Sequence, residues 1–411
     1  MRGVVVVGAG HAGVEVAASL RTGGYHGPVT LVGAEEHHPY ERPPLSKEML
    51  DDGADPAMIS LRPAAFFADH RITLRPGPVV DIERAWQQVK MADGRWVAYD
   101  HLVLATGASP RRVELAGLGL RGVAELRTLN DAFALRASLT AAKRLVVLGG
   151  GFIGMEVASA AVKRGIEVTV IEQGERVLGR AVSPPVSQAV AAHHCAQGVR
   201  LYLGERATEV VGEAGHVTAV ATESGRLLPA DAVVLGVGSV AEDGLAGRAG
   251  LATGNGVLVD RWLNTSDPLI SAIGDCAAVV DPSTGSSRRV ESIQNATDQG
   301  RYVAARIIGW RKPFRAVPWF WSNQGSLKLQ LVGLVSNDDR RIVCGDEERF
   351  SVISVRDGRL ATVESVNDPG THMAARRLLE RATPTEAELM DVDYDVRALA
   401  RQMMAKEAAV A

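Results

Sequence analysis

Two glycine-rich turns constrain the fold of this chain more than any other feature. An apolar run at 2–7 leads into Gly-Ala-Gly-His-Ala-Gly at 8–13, and a second run at 145–148 leads into Gly-Gly-Gly-Phe-Ile-Gly at 149–154. Both turns have the spacing Gly-x-Gly-x-x-Gly. The first glycine permits a tight turn, the second lets backbone approach a pyrophosphate, and the third lets the following helix pack on the strand. The sequence therefore predicts two strand–turn–helix units.

Each unit continues into a second apolar run that ends near an acid. Glu35 follows the run 29–32 and Glu172 follows the run 168–171. An acid roughly 20 residues beyond the turn is placed to bind a ribose hydroxyl. One such motif alone is weak evidence, but two complete units predict two dinucleotide sites. The alternative, two turns that bind nothing, does not explain the acids.

The residues after the second acid bear on which nicotinamide cofactor binds. Glu172 and Gln173 stand where a 2′-phosphate would need positive charge, so NADH is expected rather than NADPH. The alternative is that Glu172 only caps the strand end and that Arg176 reaches the phosphate.

The last hundred residues follow a different pattern, which begins where Pro313 and Pro318 interrupt the chain. Short alternating strands are expected at 327–332, 341–344 and 351–355, and helices at 373–381 and 391–411. The predicted fold class is α/β, with two Rossmann-like dinucleotide-binding domains and a C-terminal α+β domain. Three domains are expected. The first is discontinuous and combines 1–110 with 233–312, the second is 111–232, and the third is 313–411.

Composition excludes several classes of protein. The 411 residues carry 45 Lys and Arg against 48 Asp and Glu, a net charge of −3, which gives a nucleic-acid binder no basic surface. No apolar run reaches the roughly 20 residues of a membrane span, and no secretory signal precedes the first strand, so a cytoplasmic location is expected. The cysteines, Cys195, Cys276 and Cys344, lack Cys-x-x-Cys spacing, so neither a dithiol centre nor a metal site is expected.

Five further motifs are spread along nearly the whole chain. They are Pro-Tyr-Glu-Arg-Pro-Pro-Leu-Ser-Lys at 39–47, Leu-Ala-Thr-Gly at 104–107, Ala-Ile-Gly-Asp at 272–275, Glu-Ser-Ile-Gln-Asn-Ala at 291–296 and Pro-Trp-Phe-Trp-Ser at 318–322. With them the chain resembles the FAD-dependent pyridine nucleotide oxidoreductases of the glutathione-reductase fold. More narrowly, it is similar to the NADH:ferredoxin reductases that serve cytochrome P450 and Rieske-type oxygenases.

The resemblance implies FAD in the first domain and NADH in the second. It implies that Lys47 pairs with Glu156, which orients the nicotinamide carboxamide, and that both act in the hydride step. For FAD, the implied residues are Gly8, Gly10, Gly13, Glu35, Arg42, Lys47, Val79, Ala105, Thr106, Gly107, Arg127, Gly274, Asp275, Ala296 and Trp321. For NAD, they are Gly149, Gly151, Ile153, Gly154, Glu156, Glu172 and Gly238.

Several of these residues also have a purely structural interpretation. Asp275 could cap a helix that begins near Cys276, and Arg42 and Lys47 could be solvated charges on a proline-rich loop. Of Trp319 and Trp321, one could be ordinary core. The histidines are interpreted as non-catalytic, with His11 facing phosphate and the adjacent pairs His37, His38, His193 and His194 on the surface.

The function implied by the resemblance is hydride transfer from NADH to FAD, followed by release of single electrons to a [2Fe–2S] ferredoxin that supplies a P450 or Rieske oxygenase. Ferredoxins of this kind are usually acidic. The expected docking residues are Arg306, Arg311, Lys312 and Trp321, within or beyond the basic run that also holds Arg301 and Arg315. The alternative for that run is a solvated helix face and loop. A monomer is expected.

Two departures from the family pattern leave the electron acceptor open. Ser-Val-Ala-Glu at 239–242 replaces the usual x-x-Pro-Asn after Gly238, and Asn-Gln-Gly at 323–325 replaces Asp-Gln-Tyr. The alternatives are a flavin NADH oxidase, a reductase of another acceptor, or a redox-sensing flavoprotein that changes partner binding.

Overall fold

The computed structural model describes residues 2–410, with side chains described through residue 406. These residues form two compact units, and each unit is built from three separate stretches of chain. Unit 1 comprises the chain up to Pro44, Asp55–Arg111 and Ser239–Ala316. Unit 2 comprises Leu45–Ala54, Arg112–Gly238 and the chain from Val317 onward.

Unit 1 is organised around a parallel five-stranded sheet. Its central strand, Val4–Val7, is at most 6% exposed, because a parallel sheet covered on both faces buries every side chain of an inner strand. The helix His11–Thr22 follows directly from the first glycine turn and contacts the helix Ile293–Ile308. The strand order is Ile270–Ala272, His101–Leu104, Val4–Val7, Val29–Gly33 and Ile72–Pro76.

Smaller antiparallel pieces complete unit 1. One is a three-stranded meander of Val79–Glu83, Gln88–Met91 and Trp96–Ala98. Another pairs Ala108–Pro110 with Ser239–Ala241. The remaining strands are Thr253–Gly254, Gly256–Val259, Ala277–Val280 and Ser287–Arg289, and the short helices are Pro56–Ile59, Ala64–Asp69, Gly244–Arg248 and Gly274–Cys276.

Unit 2 repeats the parallel arrangement around Arg144–Leu148. The helix Phe152–Lys163 begins inside the second glycine motif, with Gly151 as its N-cap. The sheet order is Arg200–Leu203, Glu167–Glu172, Arg144–Leu148, Ala232–Leu235 and Val123–Glu125. Other elements are the strands Ala207–Glu213, His216–Thr222 and Leu227–Pro229 and the helices Glu48–Leu50, Leu129–Ala141 and Pro184–Ala196.

The C-terminal part of unit 2 is an antiparallel five-stranded sheet with helices, as the alternating pattern predicts. The final helix begins at Val396 rather than at Asp391, after the short helix Glu386–Met390. The sheet order is Trp319–Gln324, Leu327–Val332, Arg359–Val366, Phe350–Arg356 and Arg340–Gly345, and the helix Pro369–Arg381 contacts it. The predicted fold class is confirmed. Among the described residues, no helix is long and apolar enough to cross a membrane.

Candidate functional site

The first glycine turn has a separate steric reason for each of its three glycines. Gly8 has φ +116°, and a Cβ there would lie 2.0 Å from the carbonyl oxygen of Ala105. A Cβ on Gly13 would lie 1.8 Å from the carbonyl oxygen of Gly8. Around Gly10, in contrast, no protein atom lies within 4 Å of the Cβ position. Gly8 and Gly13 therefore close the turn, while Gly10 leaves space at its mouth.

The second glycine turn reproduces this geometry in unit 2. Gly149 has φ +106°, and its Cβ position lies 2.4 Å from the carbonyl oxygen of Gly236. The Cβ position of Gly154 lies 2.2 Å from the carbonyl oxygen of Gly149, whereas that of Gly151 has its nearest neighbour at 3.7 Å. The two turns thus share the same division between two closing glycines and one open glycine.

The helices that start at these turns present open N-termini. The N-cap residues are Gly10 and Gly151, and neither helix has a side-chain cap. The helices Leu129–Ala141, Ile293–Ile308 and Glu386–Met390 are instead capped by Thr or Ser hydroxyls. Uncapped N–H groups at a helix N-terminus bind anions, so both turns fit a pyrophosphate.

In unit 1, the motifs from distant parts of the sequence meet at the first turn. Gly274 has φ +70°, and its Cβ position lies 3.1 Å from the Cβ of Ala12 and 3.7 Å from the Cβ of Ala296. Its N–H donates to Gln299 Oε1 at 2.7 Å. Asp275 lies in a single helical turn, Gly274–Cys276, which leads into the strand Ala277–Val280, so the interpretation of Asp275 as a helix cap is wrong.

Glu35 lies in a small polar cluster beyond the strand Val29–Gly33. Its Oε1 accepts from Arg42 Nη2 at 2.8 Å and its Oε2 from the Tyr40 hydroxyl. Arg42 is therefore paired rather than simply solvated. Burial, together with the nearby Arg42 guanidinium, lowers the pKa of His11 to about 4, so this histidine is neutral at pH 7.

Residues 239–242, which depart from the family pattern, are held in unit 1 by strand pairing and hydrogen bonds. Ser239–Ala241 pairs with Ala108–Pro110, the N–H of Glu242 donates to the Gly107 carbonyl at 2.9 Å, and the Thr106 hydroxyl donates to the Glu242 carbonyl at 2.6 Å. The departure from x-x-Pro-Asn therefore leaves the Ala-Thr-Gly segment at 105–107 supported by hydrogen bonds. The remaining FAD candidate of this unit, Val79, is half-buried at the start of the meander.

Glu172 is tied to backbone on both sides. Its Oε2 accepts from the N–H of Gly150 and its Oε1 from the N–H of Gly174, each at 2.7 Å. Arg176 donates to the carbonyls of Val182 and Gly179, at 2.7 and 2.6 Å. The guanidinium is thus held in its own loop, while the carboxylate stands beside the second glycine turn. This arrangement supports the expectation of NADH over the alternative in which Arg176 binds a 2′-phosphate.

Glu156 and Lys47 form a largely buried ion pair in unit 2. Lys47 Nζ lies 2.6 Å from Glu156 Oε2, and the two side chains are 21% and 8% exposed. Ser46 Oγ donates to Oε2 and Ser322 Oγ donates to Oε1, both at 2.6 Å. Burying a charged pair requires this degree of hydrogen bonding to offset desolvation. Lys47 is therefore not the solvated loop charge of the alternative interpretation.

Three other candidates also belong to unit 2. Trp321, 37% exposed, lies in the strand Trp319–Gln324 with its ring centroid 5.4 Å from that of half-buried Trp319. Ile153 is exposed within the second glycine motif, and Gly238, with φ +102°, lies three residues after the strand Ala232–Leu235. Arg127 precedes the helix Leu129–Ala141, and its N–H donates to Asp131 at 3.0 Å.

Two side chains that were expected at the surface, those of His194 and Arg306, point inward. His194 is fully buried rather than on the surface, because it lies on the inner face of the helix Pro184–Ala196 and its Nε2 lies 3.2 Å from Gln324 Oε1. Arg306 is directed inward, where its guanidinium donates to Asn264 and Ser271, so it is not available to a docking partner. Arg311 and Lys312 remain exposed.

Sequence reasoning missed three residues that contact the Lys47–Glu156 pair or its neighbours. Ser46 donates to Glu156 Oε2, Ser322 donates to Glu156 Oε1, and Gln324 donates to Ser322. A usable signal was present, since Ser322 and Gln324 alternate with aromatic and polar exposed residues and so share one face of a strand.

Two open glycine turns on parallel sheets, together with a buried Lys–Glu pair, define a protein that binds two dinucleotides. Family models give the same class: residues 2–300 match pyridine nucleotide-disulphide oxidoreductase and residues 319–400 match reductase C-terminal. The chain belongs to the pyridine nucleotide-disulphide oxidoreductase family and is an oxidoreductase. Its three cysteines are free thiols, and none lies in the segment 39–47.

Three similar proteins match this chain over almost its full length. Rhodocoxin reductase of Rhodococcus erythropolis is 45% identical over 403 residues, 97% of this chain and 94% of that protein. The ferredoxin reductase for the CYP199A2 system from Rhodopseudomonas palustris has a crystal structure with TM-score 0.93 and 43% identity, covering 97% of this chain and all of that one. The reductase in the covalent putidaredoxin reductase–putidaredoxin complex has TM-score 0.92 and 38% identity, covering 97% and 98%.

Proposed function

We propose that this chain is an FAD-containing reductase that takes hydride from NADH and passes single electrons to a [2Fe–2S] ferredoxin, which supplies a cytochrome P450 or Rieske-type oxygenase. The observation that carries the proposal is the pair of equivalent open turns, one in each unit, in a chain without a dithiol. Bound FAD accepts an electron pair as hydride and can release electrons one at a time.

Unit 1 supplies the proposed FAD residues. The N–H groups at the start of His11–Thr22 and the open position at Gly10 would hold the pyrophosphate, Glu35 the adenosine ribose and Asp275 the ribityl chain. Lys47, Arg127 and Trp321, which the family resemblance also implies for FAD, belong to unit 2. We assign FAD to unit 1, NADH to residues 112–238 of unit 2, and the third domain to the chain from Val317 onward, since the strand Ala232–Leu235 lies in the second parallel sheet and the expected boundary at 232/233 would cut it.

The proposed NADH residues lie around the second turn. Gly149, Gly151 and Gly154 with the N-terminus of Phe152–Lys163 would hold the pyrophosphate, and Ile153 and Gly238 would contact the nucleotide. Glu172 stands where a 2′-phosphate would be repelled, and Arg176 is engaged by the carbonyls of its own loop. These contacts favour NADH over NADPH.

The Lys47–Glu156 pair is assigned to the hydride step. The ammonium of Lys47 would stabilise negative charge on bound flavin when it is reduced, and Glu156 holds that ammonium in one place through its contact at 2.6 Å. Glu156 would also orient the nicotinamide carboxamide. Neither residue is needed as a general acid, because hydride transfer moves a proton and its electron pair together.

The proposed partner is an acidic ferredoxin. Arg311 and Lys312 are exposed in unit 1, where Lys312 Nζ lies 5.6 Å from the ring centroid of half-exposed Trp310. Trp321 is the exposed aromatic candidate in unit 2. We place the enzyme in the cytoplasm as a monomer, where NADH and soluble electron carriers are both available.

A first experiment tests the proposal directly. The purified protein should be yellow, with a flavin spectrum, and should oxidise NADH much faster than NADPH when [2Fe–2S] ferredoxin and cytochrome c are present. Oxygen alone is the control. Equal NADH oxidation without ferredoxin would indicate an oxidase or another acceptor, and a protein that takes up no FAD would contradict the assignment of the first turn.

A further inference from the structure

A hydrogen-bonded chain of buried side chains leads away from Glu156 into the interior of unit 2. Ser322 Oγ, which donates to Glu156 Oε1 at 2.6 Å, accepts from Gln324 Nε2 at 2.8 Å. Gln324 Oε1 in turn lies 3.2 Å from His194 Nε2. Ser322, Gln324 and His194 are at most 2% exposed. We refer to these three residues as the relay.

The chemistry of the groups fixes the direction of every bond in the relay. A carboxylate only accepts, so the single Ser322 proton points to Glu156, and the group that faces Ser322 Oγ from the other side must be the amide N–H of Gln324. The amide oxygen of Gln324, Oε1, then accepts from His194, whose Nε2 carries the proton. Three donors thus point in series toward one buried carboxylate, an arrangement in which each bond polarises the next.

The protonation of His194 agrees with this direction. Burial lowers its pKa to about 4, so the imidazole is neutral at pH 7 and has one N–H to donate. Among the described residues, its Nδ1 has no hydrogen-bond partner. The relay therefore ends at His194, on the helix Pro184–Ala196, rather than continuing to solvent.

Gly325, directly after Gln324, lies close to the helix that carries His194. Gly325 has φ +65°, and a Cβ there would lie 2.9 Å from Ser159 Oγ, 3.1 Å from Gln197 Nε2 and 3.2 Å from His193 Nε2. A side chain at this position would therefore have to displace these three side chains or the turn itself.

We propose that Gln324 and His194 are positioning residues for the hydride step: they fix the Ser322 hydroxyl on Glu156 and thereby fix the ammonium of Lys47. The inference rests on the proposed role of the Lys47–Glu156 pair. Without the Gln324 N–H, the Ser322 hydroxyl can rotate to other acceptors, and one oxygen of Glu156 loses its directed donor. The ammonium of Lys47 then loses its single preferred position.

The test measures anaerobic flavin reduction by NADH in the holoenzyme, in a rapid-mixing experiment that separates the reduction rate from NADH affinity. Gln324→Met, which keeps the volume but removes the amide, should slow reduction about tenfold, the scale of one hydrogen bond to a charged group. His194→Phe should slow it by about threefold, and His194→Gln, which restores an N–H donor, should recover most of the rate. The dissociation constant for NAD⁺, measured by calorimetry, should change less than about twofold.

A double-mutant cycle separates this role from general destabilisation. Because Gln324 acts through Ser322, the variant Ser322→Ala with Gln324→Met should be no slower than Ser322→Ala alone. The midpoint potential of the flavin should become more negative in Gln324→Met, since Lys47 no longer holds one position. Gln197→Met is the matched control, because Gln197 bonds His193 and lies outside the relay.

Two sets of results would overturn the inference. One is an unchanged reduction rate in both Gln324→Met and His194→Phe; the His194 variant keeps the test decisive if Gln324→Met does not fold. The other is an effect of Gln324→Met that multiplies fully with that of Ser322→Ala. If Lys47→Met and Glu156→Gln also leave reduction unchanged, the proposed role of the pair fails as well, which distinguishes the two failures.

Discussion

At the residue scale, the three glycines of the first turn are needed for different reasons. Gly8 and Gly13 are required by the protein itself, since a Cβ on either would overlap a backbone carbonyl. Gly10 is not required by any protein atom within 4 Å. At an uncapped helix N-terminus, this open position leaves space for a ligand. The same contrast recurs between Gly149 and Gly151.

This contrast predicts different outcomes for two alanine substitutions. Gly10→Ala should fold, with the free energy of unfolding of the apoprotein lowered by roughly 1 kcal/mol or less, since only an N-cap preference changes. Its affinity for FAD should fall more than about tenfold, because the methyl group enters the space proposed for the pyrophosphate. FAD titration followed by flavin fluorescence measures this.

Gly8→Ala is the matched comparison. It should fail to give folded protein, since a Cβ 2.0 Å from the Ala105 carbonyl oxygen cannot be accommodated at φ +116°. A Gly10→Ala protein with wild-type FAD affinity would contradict the proposed cofactor position.

At the element scale, the helix Pro369–Arg381 brings a buried histidine against the C-terminal sheet. His372 is 1% exposed, and its ring centroid lies 5.7 Å from that of Trp319, over which Arg376 also lies. Burial, reinforced by the Arg376 charge, lowers the pKa of His372 to about 4. The folded protein thus keeps this ring neutral where an unfolded chain would protonate it.

The shift makes the helix and its sheet sensitive to acid. The unfolded chain takes up the proton near pH 6.5 and the folded chain only near pH 4, so stability is full above 6.5 and is lost as pH falls through this window. At pH 5 the loss from this one group is about 2 kcal/mol. His372→Phe keeps an aromatic ring beside Trp319 and should reduce the stability difference between pH 7 and pH 5 by that amount.

Urea denaturation at the two pH values, followed by tryptophan fluorescence, measures the difference. The His372→Phe variant should retain part of the acid sensitivity, because burial also lowers the pKa values of His11, His101 and His194. An unchanged difference in His372→Phe would show that another group titrates in its place.

At the scale of the whole molecule, a net charge of −3 must be reconciled with an acidic partner. Overall repulsion is weak at this charge, and local basic residues decide the encounter, since screening limits each charge to about 8 Å at physiological salt. Arg311 and Lys312 are exposed, whereas Arg306 is used inside unit 1 and Arg301 pairs with Glu15 at 2.7 Å. The proposed docking surface therefore includes Arg311 and Lys312 but not Arg301 or Arg306 of the same basic run.

Reversing these two charges should affect electron transfer to ferredoxin and leave flavin reduction by NADH unchanged. Arg311→Glu with Lys312→Glu should raise the KM for ferredoxin about tenfold or more at low salt, with the difference shrinking as salt is added. NADH reduction of ferricyanide, a small acceptor, should be unchanged. Arg95→Glu, at an exposed hairpin, is the control. An unchanged KM for ferredoxin would place docking elsewhere.

How far the sequence could predict this structure depends on the range of the contacts. The glycine turns and their strands were predictable because each depends on residues a few positions apart. The Lys47–Glu156 pair was reached only through family resemblance, since no local pattern joins segments so distant. The burial of His194 was missed because a pair of adjacent histidines on a helix looks polar, while the partner that buries it, Gln324, lies on a strand of the C-terminal sheet.

The position of Lys47 in the chain also limits how proteins of this kind can be recombined. Residues 45–54 belong to unit 2, although unit 1 residues precede and follow them in sequence. A transplant of 112–238 alone into a relative would carry Glu156 but leave behind Ser46 and Lys47, as well as Ser322 of the C-terminal sheet, which hold it. A working exchange of the nucleotide-binding module between two such enzymes must therefore move this ten-residue stretch together with the module, or match its serine and lysine to the incoming glutamate.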